Sequence, residues 1–579
     1  MQAHFQRLVC SRQQFFQPRH CRRAIGDQPR LLHQSQLRFC GSTSSSSASA
    51  SPSASSSSSA AAAGSAGGGQ RVRFVAVTVF LGGGAAGLLV WRQRREDEEE
   101  LIELAPVAGP TQFRHPYEDW PLHQKAWFAV KRTVFLAWAF APFAFASVFV
   151  LLSPSNTAWR EYWLDEMLRC TNRAGAAFQK FGQWLSMRPD MFPPDVIEVL
   201  SCLRSTAPSH TSAESRQILQ KDLGREVEEL FEAFEDKPVA SGSVGQVHKA
   251  RLRAEFALDG KGGKLRDVAV KVQHPGVVDS AFMDIAIVWK IVDFSERFLH
   301  MAAPFSRYEF EEVIRAQMDF TREAFNLQKF GENFKTERRT IRFPKVSAKY
   351  VTRDVLVETW AEGTLISKIL EDFDNATPSS VASGLSELKR KKRDLQQRLC
   401  AILYDMNMKM MIRDNFVHGD LHGGNILYSD AGDHVTVLDA GIATSLHQES
   451  IAPFCRFLKA FCSGGTDVTV EYLNYFNEAK AKVNADIFKP DIQAIMDKFM
   501  GPTSRKDPNE PVNAADMFGE VMFALQRHGL RLKGDVACTL FTISISEGLV
   551  RQLDPTYDVA KRAIPYILKY APTAAFASE

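Results

Sequence analysis

Two long uncharged runs dominate the pattern of hydrophobic and polar positions in the N-terminal part of the chain. The first, residues 74–91, has 18 residues without a charge and has arginines directly before and after it. A helix of this length would be about 27 Å long at 1.5 Å per residue, which is close to the hydrocarbon thickness of a bilayer. The pattern therefore predicts a transmembrane helix at 74–91. Gly83 and Gly87 have the small-xxx-small spacing that permits close contact with a second copy, as in a homodimer.

The second uncharged run, residues 133–152, is aromatic-rich. Its 20 residues include six aromatic side chains and, in the middle, Pro142. The length suits a second membrane span, whereas the proline and the aromatic residues suit equally well a helix at the membrane interface or against the folded domain. Both alternatives stay open, and the arginines on both sides of the first run leave its orientation open as well.

Beyond about residue 236 the pattern changes to short β-branched runs that alternate with helical stretches. Residues 268–272 and 435–438 are short and apolar, as core strands are. Residues 308–334 and the segment after residue 450 have helical character. With 45% hydrophobic and 24% charged residues, the chain can bury a substantial core. These features indicate a folded domain of mixed α+β structure.

The net charge of +3 is distributed unevenly along the chain. Residues 1–95 contain 12 Arg, no Lys and a single acid, Asp27, so the remainder of the chain carries an excess of acid. A protein that binds nucleic acid normally has its basic excess on a folded surface. The acidic body therefore argues against nucleic acid as a partner.

The basic N-terminus has the composition of an organelle address. In residues 1–40, arginines are spread among Leu, Phe and Gln with almost no acid, which predicts a mitochondrial presequence. Residues 41–70 are almost wholly Ser, Ala and Gly and predict a flexible linker. Because such a Ser-rich stretch also suits a plastid address, a plastid membrane is the alternative location.

A nucleotide-loop motif begins at residue 240. The sequence Ala240-Ser241-Gly242-Ser243-Val244-Gly245-Gln246-Val247 matches the pattern G-x-G-x-x-G-x-V, except that Ala240 replaces the first Gly. The strand motif Val268-Ala269-Val270-Lys271 follows it. A cation in a buried strand requires an anion such as phosphate or carboxylate. We therefore expect residues 240–244 to surround the phosphates of a nucleotide and Lys271 to bind them.

The most specific cluster lies further along the chain. It reads His418-Gly419-Asp420-Leu421-His422-Gly423-Gly424-Asn425, followed by Asp439-Ala440-Gly441. Kinases use H-x-D-x-x-x-x-N to orient the attacking hydroxyl or water and to hold Mg²⁺, and D-x-G for a second metal contact. We assign Asp420 as orienting acid or base, Asn425 and Asp439 as Mg²⁺ ligands, and His422 as a local turn stabiliser. The ordered set predicts a protein-kinase-like two-lobe α+β fold that binds ATP or ADP with Mg²⁺.

The segment between these motifs predicts the hinge of such a fold. Residues 355–363 resemble the strand and hinge between the two kinase lobes, where main-chain groups around Glu358 and Trp360 would meet adenine. A platform for a peptide substrate is not evident, because Ala452-Pro453-Phe454 lacks the glutamate of A-P-E and comes early.

A further motif, outside the ordinary kinase set, makes the resemblance specific. Lys180-Phe181-Gly182-Gln183 lies in an N-terminal extension, and Thr321-Arg322-Glu323-Ala324 lies in the helical stretch. Together with the catalytic motifs, these segments resemble the UbiB/aarF-domain atypical kinases of ubiquinone biosynthesis over roughly residues 160–450. The loop departs from that family, which commonly has Ala-Ala-Ala-Ser.

The resemblance implies roles for residues that spacing alone leaves open. Glu311, Glu312 and Glu323 all lie in the helical stretch that should supply the carboxylate partner of Lys271. The resemblance selects Glu323. It also implies that the helix with Lys180 and Gln183 folds over the active site, where a peptide would otherwise dock, so that both side chains face the nucleotide.

The resemblance also implies a function and a division of the chain. The function is an ATPase or a kinase of small molecules or lipids that supports coenzyme Q assembly at the mitochondrial inner membrane, with membrane lipid, quinone precursors and a biosynthetic complex as partners. The alternative is a catalytically inert nucleotide-binding scaffold or lipid chaperone. The predicted folded units are a helical extension (160–235), an N-lobe (236–363), the catalytic part of the C-lobe (364–450) and a helical C-terminal extension (451–579).

Overall fold

The computed structural model describes most of the chain beyond residue 120. The described ranges are 120–153, 157–186, 192–204, 209–259, 265–294, 314–375, 385–478, 485–500 and 514–571, with Leu104, Pro106, Val107, Tyr117, Arg297 and Glu311. The predicted presequence, linker and transmembrane helix at 74–91, including the Gly83/Gly87 contact, lie outside the described residues.

An N-terminal helical layer precedes the kinase-like lobes. Its helices are α1 (Leu122–Leu152), α2 (Thr157–Ala174), α3 (Ala176–Ser186) and α4 (Pro194–Ser201), followed by a 3₁₀ turn at Cys202–Arg204. Helix α2 ends because Gly175 has a φ of +105°, which glycine adopts without steric cost. The turn at Gly175 lets α3 leave α2 in a new direction.

The predicted apolar run 133–152 forms the C-terminal part of α1. One face of this helix packs against α2, where Phe143 lies 5.1 Å from Trp163 and Phe149 stacks on Trp159 at 4.3 Å between ring centroids. The opposite face exposes large apolar side chains, among them Trp138 and Phe145. Among the described residues, α1 is long and apolar enough to cross a bilayer by length and composition.

The N-lobe is built around an antiparallel sheet in the order β1-β3-β4-β7-β6. Two helices precede the sheet, α5 (Ser212–Leu223) and α6 (Val227–Leu230). The strands are β1 (Phe231–Phe234), β2 (Ala240–Ser241), β3 (Gly245–Leu252), β4 (Asp267–Gln273), β6 (Val346–Val351) and β7 (Val355–Thr359). Helices α7 (Val277–Phe294) and α8 (Phe320–Asn333) lie between β4 and β6 in the sequence. The β-branched run 268–272 is thus the central strand, as its pattern predicts.

The two faces of β4 belong to different cores. Val268, Val270 and Val272 pack with α5, α6 and β1 in an outer apolar cluster. Lys271 alternates with these valines and therefore points to the other face, towards the second lobe. The strand pattern thus places the buried cation in the space between the lobes.

The C-lobe contains two small sheets and a helical body. The larger sheet is formed by β5 (Ile341–Arg342), β8 (Thr364–Leu365), β10 (Ile426–Ser429) and β11 (His434–Val437), in the order β5-β11-β10-β8. In the smaller sheet, β9 (Val417–His418) pairs with β12 (Ala443–Thr444). The first helices are α9 (Ile366–Asn375) and α10 (Leu385–Met408), with a π turn at Lys409–Arg413. The later helices are α11 (Gln448–Cys462), α12 (Thr466–Tyr475), α13 (Ala485–Met500), α14 (Ala514–Arg527), α15 (Gly534–Leu553) and α16 (Val559–Tyr570).

A buried ion pair joins α1 to the N-lobe helix α7. Arg132 Nε lies 2.6 Å from Asp284 Oδ1 and Nη2 lies 2.8 Å from Oδ2, so the contact is bidentate. The Asp284 side chain is 2% exposed. Burial raises the pKa of Asp284 to about 6, although the guanidinium of Arg132 acts in the opposite direction. Arg132 therefore compensates a charge that is costly to bury.

We expect Arg132→Ala to lower the free energy of unfolding by about 3 kcal/mol near neutral pH, because Asp284 is left buried without its partner. Loss of Arg132 raises the folded-state pKa of Asp284 further above its unfolded value. The deficit should therefore shrink as the pH falls towards about 5, where the variant can protonate Asp284. Urea unfolding followed by tryptophan fluorescence measures both effects.

The exposed neighbour Lys131 provides the control, since Lys131→Ala should change the stability by less than about 0.5 kcal/mol. Equal stabilities of Arg132→Ala and Lys131→Ala would show that this ion pair does not hold α1 in place.

Candidate active site

Lys271 lies at the centre of the space between the lobes. Its ammonium group hydrogen-bonds Glu323 on α8, lies 3.2 Å from the main-chain oxygen of Leu438 and lies 3.4 Å from Glu358 Oε1 on β7. The side chain is 12% exposed. Burial alone would lower the pKa of Lys271, but the carboxylates of Glu323, Glu358 and Asp439 outweigh it and raise the pKa. Lys271 is therefore held as a cation.

Glu323 reaches Lys271 because of how α8 begins. The side chain of Asp319 caps the helix by accepting a hydrogen bond of 2.9 Å from the N–H of Thr321. This cap fixes the first turn, in which Glu323 points inward. Burial raises the pKa of Glu323, while Lys271 acts to lower it. The structure thus makes the Lys271–Glu323 contact that the sequence predicts, whereas Glu311 instead pairs with Arg315 on its own turn.

Asp439 follows β11 and its carboxylate lies in a strongly positive environment. Burial would raise its pKa, but Lys271, Lys180 and a hydrogen bond of 2.8 Å from the N–H of Gly441 together lower the pKa to about 2. Asp439 is therefore ionised at any physiological pH. An ionised, partly bonded carboxylate is a suitable ligand for a hard cation such as Mg²⁺.

The catalytic loop is held by the imidazole of His418. The N–H of Asp420 donates to His418 Nδ1 at 3.1 Å, so Nε2 carries the ring proton and donates to the main-chain oxygen of Asp439. Asn425 Nδ2 donates to the main-chain oxygen of Asp420 at 3.1 Å. These bonds fix the positions of Asp420, Asn425 and Asp439 relative to one another. His422 accepts from the N–H of Gly424 at 3.0 Å, which agrees with its predicted role in the turn.

The nucleotide loop is a tight hairpin between β2 and β3. The N–H of Gly242 donates to the oxygen of Gly245 at 2.9 Å, and Ala240 pairs with Val247. His274, directly after β4, anchors the loop through its ring, which lies 2.9 Å from the oxygen of Gly242, and through its N–H, which donates to Val244. The sequence carries no signal for this anchor, because a histidine after a strand has no distinctive pattern.

Helix α3 places Lys180 beside the site and uses Gln183 for packing. A Cβ at Gly182 would lie 2.2 Å from Leu203 Cδ1, so only glycine lets α3 pack so closely on the 3₁₀ turn. Gln183 Nε2 donates to the main-chain oxygen of Leu203 at 2.8 Å and locks the same contact. The charge of Lys180 acts on both Glu323 and Asp439. Lys180 therefore lies near the acids of the site, and Gln183 Nε2 is engaged away from it; that both side chains face the nucleotide stays a prediction.

Glu358 lies on β7 and Trp360 follows directly after it, and the contact of main-chain groups around them with adenine stays a prediction. Glu358 pairs with Ala269 and Val346 on the two neighbouring strands, and the N–H of Trp360 donates to Asp267 at 2.9 Å. These contacts belong to the sheet. The Glu358 side chain points into the site, where Oε1 lies 3.4 Å from the ammonium of Lys271. The sequence did contain a signal for this direction of Glu358. The acid lies in the apolar strand Val-Leu-Val-Glu, and a buried acid needs a partner of opposite charge, as the buried Lys271 does in its own strand.

The oxygen atoms around Asp439 fit a cation that arrives with phosphate. Asp439 uses Oδ1 for Gly441 and Asn425 uses Nδ2 for Asp420, which leaves an oxygen of each side chain for a metal. Within the described residues, no group of three or more His, Cys, Asp and Glu side chains forms a complete ligand set. Mg²⁺ is typically held by one or two protein carboxylates together with substrate phosphates. The donor set therefore fits Mg²⁺ bound with a nucleotide, and the metal would neutralise phosphate charge there.

Comparison with known proteins agrees with this geometry. Residues 202–473 match the model of the ABC1 atypical kinase-like domain family. The chain carries an ABC1 atypical kinase-like domain. This match confirms the resemblance to the UbiB/aarF-domain kinases. The relatives of the chain include UbiB and mitochondrial ABC1 family proteins. The site residues assigned from the sequence lie within the matched range, except Lys180 and Gln183, which precede it.

Three relatives illustrate the range of similarity. The probable serine/threonine-protein kinase abkC of Dictyostelium discoideum is 27% identical over 482 residues, which is 71% of this chain and 65% of that protein. The mitochondrial ABC1 family protein C21C3.03 of Schizosaccharomyces pombe is 24% identical over 74% of this chain and 68% of its own length. The probable protein kinase UbiB of Aeromonas hydrophila is 26% identical over 72% of this chain and 73% of its own length.

We expect Gly245→Ala to disrupt the nucleotide loop of the ABC1 domain. A Cβ there would lie 2.5 Å from the main-chain oxygen of Val272 and would push β3 away from β4. Overpacking of this kind costs about 1–3 kcal/mol of stability. The matched control is Gly242→Ala, whose Cβ would meet its nearest atom at 3.7 Å. Thermal unfolding should show a lower midpoint for Gly245→Ala alone, and equal midpoints would contradict the proposed constraint.

Proposed function

We propose that the ABC1 domain binds ATP or ADP with Mg²⁺ and catalyses phosphoryl transfer, to water or to a small lipid-like acceptor, in support of coenzyme Q biosynthesis. The observation that carries the proposal is the convergence of Lys271, Glu323 and Asp439 from separate elements on one buried space, with the main chain of Asp420 joined to Asp439 through His418. A binding surface alone does not require an orienting acid next to a metal-binding carboxylate.

Each residue has a role that follows from its contacts. Lys271 binds nucleotide phosphate, and Glu323 holds Lys271 in the extended position that reaches it. Asn425 and Asp439 bind Mg²⁺ through their remaining oxygens. Asp420, held by His418 and Asn425, orients the attacking hydroxyl or water.

The N-terminal helices support an acceptor other than a peptide. Helix α3 brings Lys180 close enough to influence Glu323 and Asp439. We infer that this helix occupies the side of the site from which a protein substrate would approach. One relative is named as the probable protein kinase UbiB. The UbiB/aarF-domain kinases that the sequence resembles are those of ubiquinone biosynthesis. We infer a small membrane-borne acceptor such as a quinone precursor, presented by a biosynthetic complex.

A nucleotide-binding scaffold is the second candidate function. The observation in its favour is that protein groups contact the ammonium of Lys271 from three sides. A scaffold would bind nucleotide and change conformation without turnover. Measurement of hydrolysis separately from binding distinguishes the two candidates.

We propose that α1 lies along the membrane surface rather than across the bilayer. Helix α2 packs antiparallel on α1 and carries six charged residues among its 18. A spanning α1 would bring these charges into the hydrocarbon, which is costly. The exposed apolar face, with Trp127 and Trp138, suits the interface, where tryptophan is favoured.

We propose an organelle membrane, most simply the mitochondrial inner membrane, as the location. Relatives are named as mitochondrial in two yeasts and as chloroplastic in Arabidopsis thaliana. The arginine-rich, acid-poor segment 1–40 supports the mitochondrial choice. A plastid membrane stays the alternative.

We expect Asp420→Asn in the full-length protein to lower nucleotide hydrolysis by about 10²–10⁴-fold while nucleotide binding persists, because the amide cannot accept a proton. Phosphate release is measured with Mg²⁺–ATP on vesicles that contain a quinone-precursor mimic. Asp430→Asn, in an exposed turn, is the matched control and should retain the wild-type rate. Wild-type turnover by Asp420→Asn would instead favour the scaffold.

We expect nitroxide labels at positions 134 and 145 to report equal depths of about 5–10 Å in vesicles. Val134 and Phe145 both expose their side chains on α1, 11 residues apart. If α1 crossed the bilayer, their depths would differ by about 16 Å. Accessibility of the label to oxygen and to a water-soluble nickel complex gives the depth. Position 161 on the exposed side of α2 is the control and should stay in water.

A further inference from the structure

The ammonium of Lys271 has three N–H donors, and protein groups occupy all three directions. Glu323 is the nearest, Leu438 accepts at 3.2 Å through a main-chain oxygen, and Glu358 Oε1 lies furthest, at 3.4 Å. A lysine ammonium has three donors and no more. A phosphate oxygen that binds Lys271 must therefore displace one of these groups.

Glu358 is the group whose contact is easiest to displace. Leu438 is held through its main chain, and Glu323 is fixed by the capped first turn of α8. Glu358 lies on β7 diagonally opposite Lys271, since Lys271 pairs with Leu356 and Ala269 pairs with Glu358. Diagonal neighbours share a face of the sheet but lie further apart than direct pairs. The long distance of Glu358 from the ammonium follows from this register.

Displacement creates an electrostatic conflict at Glu358. The side chain is 4% exposed, and within the described part of the chain its Oε2 atom has no hydrogen-bond partner. A phosphate that replaces Glu358 at Lys271 brings further negative charge into the same space, next to Glu323 and Asp439. A buried carboxylate that loses its cation is strongly disfavoured unless it becomes neutral.

We propose that Glu358 competes with nucleotide phosphate for Lys271 and yields to it by taking up one proton, so that Glu358 sets the affinity of the site and links it to pH. The inference rests on the proposed nucleotide-binding function. The proton comes from solvent and binds a carboxylate oxygen of Glu358. Lys271 keeps its three hydrogens, and no covalent bond between heavy atoms forms or breaks.

The charged groups around Glu358 agree with this linkage. Burial raises its pKa, Lys271 on β4 lowers it, and Glu323 on α8 and Asp439 after β11 raise it, with a result of about 8. Lys180 on α3 acts on Glu323 and Asp439. Loss of the Lys271 contact on phosphate binding removes the lowering influence. Above about pH 8 the free protein must therefore gain a proton in order to bind, and affinity should fall by up to about tenfold per pH unit.

The test is calorimetric titration of the full-length protein with Mg²⁺–ADP at about pH 9, in two buffers of different ionisation enthalpy. Nucleotide phosphate, with a second pKa of about 6, is already ionised there and contributes no proton. We expect the wild type to take up close to one proton per nucleotide. Glu358→Gln should take up none and bind about tenfold more tightly at this pH, with no such gain at about pH 6.

Glu332→Gln, an exposed substitution of the same kind on α8, is the matched control and should behave as the wild type. If the wild type takes up no proton and Glu358→Gln binds no more tightly, the inference is wrong while the nucleotide function stands. If neither protein binds Mg²⁺–ADP at any pH, both the inference and the proposed function are wrong. The wild-type proton count needs no variant, so a folding defect in Glu358→Gln cannot leave the question open.

Discussion

The burial of one ammonium group, that of Lys271, determines how the two lobes meet. A charge away from water is stable only with partners of opposite charge or with hydrogen-bond acceptors. The partners of Lys271 come from α8, from β7 and from the chain after β11. These elements belong to both lobes and are distant in sequence. Their closure around one cation creates the space that Lys271, Glu323, Glu358 and Asp439 share.

A second buried charge has the same effect on the N-terminal helices. Asp284 on α7 is compensated by Arg132 on α1, and Arg132 also donates to the main-chain oxygen of Ala174 at the end of α2. This contact places α1, α2 and the start of α3 against the N-lobe. Helix α3 can then bring Lys180 towards Asp439. Helices α1, α2 and α3 and the candidate site are thus joined by a short series of ionic contacts.

The site holds more acidic than basic side chains at its centre. Glu323, Glu358 and Asp439 surround Lys271, and Lys180 compensates from α3. An ordinary kinase site uses one glutamate for its lysine. When Glu358 is ionised, above about pH 8, this additional acid increases the attraction for Mg²⁺ and the repulsion of phosphate, so the affinities for the metal and for the nucleotide depend on each other there. This dependence distinguishes the site from one built on the Lys271–Glu323 pair alone.

The sequence by itself determined the residues that take part in local motifs. The spacing of Asp420, Asn425 and Asp439 and the strand around Lys271 predict the kinase-like fold, because hydrogen bonds and strand periodicity act over a few residues. The choice among three glutamates needed a family resemblance, and the inward direction of Glu358 appeared only in the structure. That direction depends on the register between β4 and β7, a pairing of segments that lie far apart in the chain. The packing of α2 on α1 is likewise a tertiary contact. Hydropathy counts the apolar residues of the run 133–152, but it does not reveal which charges of α2 lie beside them.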